Sequence, residues 1–304
     1  MMSEIDRGNP QSHVFKTVSG CEIRLDAYPS SRAGLSPVVV WIHGGALILG
    51  SRTRMQPTLR ALCAREGYAQ VSIDYRLAPE TKLPGIVEDV VDAFTWIRRE
   101  GPDRFGADSD RIAALGFSGG GYLALLAGER VEPRLSAVVS YYGYGDIVGA
   151  WYTQPDAYYR QTEPLVSIDQ ARAAVGDSPL SEGPRERRRF YMYCRQNGLW
   201  PREVGGMDLA ALEAFCPERH VDADYPPTFL AHGTADTDVP NQCSVDMAAA
   251  LARADVPHQL FTVPDGTHGF DGPVEMADIE GSPPGPGALA VIRTVEFLRE
   301  QFGP

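Results

Sequence analysis

Six residues, Pro37-Val-Val-Val-Trp-Ile42, constrain the fold of this 304-residue chain more than any others. The run is apolar, rich in β-branched side chains and free of polar alternation. Such a segment suits a strand buried on both faces, which is the setting of a parallel sheet between helical layers. Residues 68–75 read the same way, as do the shorter runs 111–116, 135–141, 227–232 and 258–263. Helical periodicity fills the gaps. Between 84 and 99, the apolar residues Ile86, Val87, Val90, Val91, Phe94 and Ile97 recur at offsets of three and four, one face of a helix. Residues 57–65, 120–128, 244–254 and 287–301 also read as helices. At the start, 14–17 and 22–28 read as two strands joined by a turn at Ser19-Gly20. Strand–helix alternation of this kind predicts an α/β fold, a mostly parallel central sheet with helices on both faces.

The alternation breaks between 145 and 225. This stretch holds Trp151, Tyr152, Tyr158, Tyr159, Phe190, Tyr191, Tyr193 and Trp200, and the basic run Arg185–Arg189. So many aromatics argue against disorder, and long insertions between core strands are commonly functional. The expected organisation is a core of residues 1–144 and 226–304 with a helical cap of 145–225 over the C-terminal edge of the sheet. The cap aromatics would pack its own small core, and could equally form a homodimer interface. The 281–287 stretch, with Ser-Pro-Pro-Gly-Pro inside it, reads as a plain connecting loop.

Composition narrows the function classes. Apolar residues make up 43%, enough for a sizeable core, and the formal net charge is −12. An acidic chain repels phosphate backbones, so nucleic acid is not an expected partner. The opening residues, MMSEIDRGNP, lack the apolar stretch of a secretory leader, and no run is long enough for a membrane span. A cytoplasmic protein with reduced thiols is expected. The five cysteines show no CxxC and there is no HExxH, so no metal or other cofactor is expected.

Three local patterns carry chemistry. Gly116-Phe117-Ser118-Gly119-Gly120 has the form G-x-S-x-G between a predicted strand and a predicted helix. A nucleophile on such a sharp turn takes strained dihedrals, and small neighbours avoid clashes with it. A phosphate-holding glycine loop is the rival reading, but neither G-x-x-x-x-G-K-[ST] nor an early G-x-G-x-x-G is present. His43-Gly44-Gly45-Ala46 follows the 37–42 strand. Acyl transfer develops an oxyanion that needs aimed N–H donors, and glycines let the backbone approach closely. The amides of Gly44, Gly45 and Gly119 are the candidate donors, with His43 orienting the loop. Finally, Asp236 and His268 follow the 227–232 and 258–263 strands. Histidine suits a base working near neutrality, and a carboxylate fixes its tautomer. Asp236 is preferred over Asp238 and Asp265 because it stands nearest the strand end. Asp238, before Val-Pro, is expected to cap the next helix, and His232 to be structural. The candidate triad is therefore Ser118, Asp236 and His268.

Together His43-Gly-Gly-Ala46, Asp74-Tyr-Arg-Leu-Ala-Pro-Glu80, the GFSGGG turn and the late Asp and His loops resemble the hormone-sensitive-lipase-like esterases. Related acetyl-ester hydrolases and kynurenine formamidases are similar. The resemblance implies the α/β-hydrolase fold, the triad and oxyanion donors just named, and cleavage of short- to medium-chain carboxylic esters through an acyl-enzyme. It departs from the usual pattern at Ala46, where a third glycine is common, and at Phe117 and Gly119, where Asp and Ala are common. Asp74-Tyr75-Arg76 reads as scaffold around the glycine loop. The small-molecule substrate could instead be an amide or peptide cleaved by the same triad. A non-catalytic small-molecule receptor on this fold is the more distant alternative.

Overall fold

In a computed structural model that describes residues 9–303, the elements follow in chain order. They are β1 (Gln11–Val18), β2 (Cys21–Tyr28), β3 (Ser36–Ile42), α1 (Pro57–Arg65), β4 (Ala69–Ile73), α2 (Leu83–Phe105), β5 (Ala107–Phe117), α3 (Gly119–Arg130) and β6 (Ala137–Tyr141). The short helices α4 (Ala150–Thr153), α5 (Ala157–Thr162), α6 (Ile168–Arg172), α7 (Arg188–Asn197) and α8 (Leu209–Leu212) come next. The chain then returns to the sheet with β7 (Thr228–Gly233), α9 (Gln242–Arg253), β8 (His258–Val263), α10 (Met276–Glu280) and α11 (Pro286–Phe302). Residues 1–8, on which much of the reading of the chain's opening rests, lie outside the described residues. No helix among the described residues is long and apolar enough to cross a membrane.

The strands form one sheet in the order β1-β2-β4-β3-β5-β6-β7-β8. β1 and β2 are antiparallel to their neighbours, and every pairing from β4 to β8 is parallel. The α/β expectation is met. At the β1–β2 turn, Ser19 and Gly20 both have positive φ, 50° and 79°, the backbone that a tight two-residue hairpin requires. Every residue of β3, β4, β6 and β7 is buried. Because side chains alternate across a strand, β3 feeds two cores. Val38, Val40 and Ile42 join the side covered by α2 and α3, while Val39 and Trp41 join the side covered by α1 and α11.

Several boundaries differ from expectation: β1 runs over 11–18 rather than 14–17, β5 over 107–117 rather than 111–116, and α2 differs most. The helix predicted over 84–99 continues through Gly101 and Pro102 to Phe105. The glycine serves packing: a Cβ on Gly101 would stand 2.8 Å from the Ala107 Cβ and 2.9 Å from the Phe105 ring. The helix then stops at Gly106, whose φ of 69° is the left-handed conformation common just past helix ends.

The segment between β6 and β7 packs its aromatics mainly on one another. Tyr152 stacks on Trp200 with centroids 4.3 Å apart and on Trp151 at 3.9 Å. Two side chains tie this segment to the loop after β3. Trp200 Nε1 donates to the Ala46 carbonyl at 3.0 Å. Arg187, almost fully buried, donates to the carbonyls of Ile48 (2.5 Å) and Ala78 (2.6 Å) and to both carboxylate oxygens of Glu80. The Glu80 side chain is itself inaccessible to solvent. Removing one partner of such a pair strands a buried charge. Arg187→Met is therefore expected to lower the unfolding free energy by about 3–5 kcal/mol, measured by urea denaturation. A loss under about 1 kcal/mol, the range of exposed pairs, would contradict the role given to this pair.

Candidate active site

The site sits where parallel strands end. In register, Ile42 faces Gly116, Phe117 faces Tyr141, Tyr141 faces Ala231, and Gly233 faces Val263. The loops after β3, β5, β6, β7 and β8 therefore leave the sheet at one edge, the C-terminal side on which open α/β sheets bind ligands.

Ser118 occupies the turn between β5 and α3 with φ 55° and ψ −122°. Its N–H donates to the Tyr141 carbonyl at 2.9 Å, which pins the turn to the neighbouring strand. The flanking glycines are required by space. A Cβ on Gly116 would lie 2.0 Å from the Gly120 carbonyl oxygen, and one on Gly120 would lie 2.1 Å from that of Ile42. The serine side chain consequently stands clear of the sheet at the start of α3.

His268 Nε2 lies 3.0 Å from Ser118 Oγ, and its Nδ1 lies 2.7 Å from Asp236 Oδ2. A carboxylate only accepts, so Nδ1–H donates to Asp236, and Nε2 is free to accept the serine proton. The other Asp236 oxygen accepts from the amides of Asp238 (2.8 Å) and Val239 (3.0 Å). Burial works to raise the Asp236 pKa. Hydrogen bonds from His232 and His268, the His268 charge and the Val239 amide reverse this and hold it well below the ordinary carboxylate range. Burial likewise works to lower the His268 pKa. The Asp236 bond and the Asp238, Asp236 and Asp271 charges outweigh it, leaving the imidazole above its usual 6.5.

His232 is wholly buried. Its Nε2 is 3.0 Å from the Val239 carbonyl and its Nδ1 2.7 Å from Ser244 Oγ. The carbonyl can only accept, so Nε2 carries the proton and Nδ1 accepts from the serine. This histidine supports Asp236 from behind.

The loop after β3 supplies backbone. Gly44, Gly45 and Ala46 line the same cavity as Ser118 and His268. No backbone acceptor among the described residues takes the Gly44 or Gly45 amide, and Gly119 is the first residue of α3, whose amide has no partner within the helix. Gly45 has φ 109°, and a Cβ there would strike the Leu49 carbonyl oxygen at 1.9 Å. Ala46 has φ 54°; a side chain here bears the left-handed backbone that a glycine would adopt freely. Its amide also reaches the Ser118 turn, 3.0 Å from where a Gly119 Cβ would stand. His43 holds the loop. Its ring stacks on Tyr75 at 4.3 Å, its Nδ1 donates to the Gly44 carbonyl at 2.8 Å, and Tyr75 Oη donates to the His43 carbonyl at 2.8 Å. Burial pushes the His43 pKa down to about 4, so the ring is neutral.

Sequence reasoning missed several neighbours. Tyr142, with φ 39°, packs its ring 4.6 Å from that of His268 and donates to Asp271 at 2.6 Å. Its place one residue past β6, beside Ser118, was the available signal. Asp238 was expected to cap α9, but Asn241 holds the cap position and makes no side-chain cap bond. Asp238 turns instead toward the aromatic segment. It accepts from Tyr191 Oη and from Arg195 Nη1 (2.8 Å), and its other oxygen lies 3.7 Å from His268 Nε2. Arg195, 2% exposed, draws it there from beneath four aromatic rings. Among the described residues no cluster of His, Cys, Asp and Glu could hold a metal ion.

Residues 39–272 match the family model of the alpha/beta hydrolase fold. The chain belongs to the α/β-hydrolase fold family. This α/β-hydrolase is 28% identical over 348 residues to ausA, a non-reducing polyketide synthase of Emericella nidulans, in an alignment covering 96% of the chain and 14% of that protein. It is also 28% identical over 278 residues to esterase LipC of Mycobacterium tuberculosis, covering 88% of the chain and 60% of LipC. The chain thus spans about a seventh of the synthase's length and 60% of LipC's. Among solved structures, a protein with unknown function from Staphylococcus aureus superposes with a TM-score of 0.79 at 22% identity, over 96% of this chain and all of that one.

The electrostatics of His268 can be checked directly. Its imidazole is expected to titrate above pH 6.5 in NMR. In Asp238→Asn the midpoint is expected to fall, because one of the charges that favours the imidazolium is gone. An unchanged midpoint would show that Asp238 does not act on His268.

Proposed function

We propose that this chain is a serine hydrolase that cleaves carboxylic esters of short to medium acyl length through an acyl-enzyme intermediate. The observation that carries the reading is the continuous relay from Asp236 through His268 to Ser118, opening on a cavity of about 610 Å³. The similarity to LipC, which is named an esterase, supports it. The cavity lies within the usual size range of small-molecule sites. Leu49, Met55 and Phe117 give it apolar lining, suited to an acyl chain.

In this reading neutral His268 removes the Ser118 proton as Oγ attacks the acyl carbon. The resulting oxyanion is met by the amides of Gly44, Gly45 and Gly119. Asp236 stabilises the imidazolium without taking its proton. His268 Nε2–H then protonates the departing alkoxide, and water, deprotonated by the same nitrogen, releases the acid. Held on the protein, the donors need no reorganisation as charge develops. The loss of one such donor costs on the order of 10²–10³ in turnover.

Hydrolysis of a p-nitrophenyl series from acetate to palmitate tests the reading. Activity is expected to peak at short to medium chains and to fall in Ser118→Ala by on the order of 10⁴–10⁶, with the variant still folded. Wild-type-like turnover in Ser118→Ala, or no ester cleavage by a folded wild type, would remove the proposal. Matched anilides measured alongside separate an ester from an amide preference.

A further inference from the structure

The cavity above Ser118 is lined by two cations and two carboxyl groups besides His268: Arg54, Arg188, Asp238 and Asp271. The carboxyl groups are already answered. Asp271 is buried and accepts the Tyr142 hydroxyl. Asp238 is held by Arg195 and the Tyr191 hydroxyl. The cations are not answered to the same degree. Arg54, on the loop between β3 and α1, is exposed, and its guanidinium has no ion-pair or hydrogen-bond partner among the described residues. Its neighbour Arg52 contrasts sharply, being taken by Asp26, Asp74 and Glu182. Arg188 pairs with Glu163 at 2.8 Å, but its side chain is 47% exposed. An exposed pair of this kind holds weakly and can exchange partners. Arg188 also lines an adjoining groove with Arg185 and Arg189, beside Glu163 and Glu186. The mouth of the site therefore presents positive charge on a chain whose net charge is −12.

We infer that the substrate of this site is an ester bearing a second, anionic group, a carboxylate remote from the scissile carbonyl, which Arg54 and Arg188 hold at the mouth of the cavity. The inference rests on the reading of Ser118 as the nucleophile and deepens it into a substrate class, carboxylate-bearing esters such as half-esters of dicarboxylic acids. The geometry suits such a molecule. The reacting carbonyl would sit at Ser118 and the connecting carbons against Leu49 and Met55. The anion would meet guanidiniums, which match carboxylates as paired donors.

The test compares kcat/KM for esters matched in length. In one arm the anion is on the acyl side: the p-nitrophenyl monoester of glutaric acid against p-nitrophenyl valerate. In the other it is on the alcohol side: the acetate ester of 4-hydroxybutanoate against butyl acetate. Wild type is expected to favour the anionic partner by about tenfold or more in one arm, which identifies the side that carries the charge. The ratio is expected to fall toward one in Arg54→Gln and in Arg188→Gln, and also at about 0.5 M salt, which screens exposed cations. A ratio at or below one in both arms, with the neutral esters still hydrolysed, would overturn the inference while leaving the hydrolase reading standing. A preference that survives both substitutions would overturn it as well. Failure of wild type to cleave any of the four esters would remove both readings together.

Discussion

Ser118 is held at φ 55° and ψ −122°, a conformation that costs an ordinary residue about 1–3 kcal/mol. The rest of the site depends on that turn being held. It exists because Gly116 leaves room for the Gly120 backbone and Gly120 for that of Ile42, and because the Tyr141 carbonyl takes the Ser118 amide. The parallel register of β3, β5 and β6 thus fixes Ser118. The same register, carried on to β7 and β8, brings Asp236 and His268 to the serine from loops that begin at aligned strand ends. The geometry of this candidate triad is a by-product of sheet geometry.

Around that turn, burial and charge oppose each other, and local partners decide the outcome. Asp236 is inaccessible to solvent yet ionised, because two histidines and two backbone amides face it. His43 is equally buried but meets no carboxylate, and burial keeps it neutral. The segment between β6 and β7 takes part as well. Arg187 and Trp200 anchor the loop that carries Gly44, Gly45 and Ala46. Arg195 draws Asp238 to the edge of the histidine. Positions far apart in sequence therefore share one electrostatic environment, and substitutions in the aromatic segment should be felt at the histidine.

Much of this was legible in the sequence, for identifiable reasons. Strands buried on both faces read as continuous apolar runs, so β3, β4, β6 and β7 stood out, and α1 and β8 were placed residue for residue. Ser118 was legible because its turn demands glycines, and Asp236 and His268 because each follows such a strand closely. What stayed hidden depends on long-range packing. Breaker residues masked the last turn of α2, because the fit of Gly101 against Ala107 cannot be read from periodicity. Asp238 read as a helix cap, because its true partner lies 43 residues earlier, in a segment without a regular pattern. Arg54 had no local signature, and Arg188 stood out only as part of the basic run Arg185–Arg189, since only the fold brings the two to one cavity.

The central claim is that Ser118, His268 and Asp236 act as one nucleophilic unit. The most direct measurement is labelling of the folded protein with a fluorophosphonate, followed by peptide mass spectrometry. The account expects one adduct, on the peptide containing Ser118, formed far more slowly in His268→Ala and in Asp236→Asn. An adduct on another residue, or labelling of Ser118 at an unchanged rate in both variants, would contradict it.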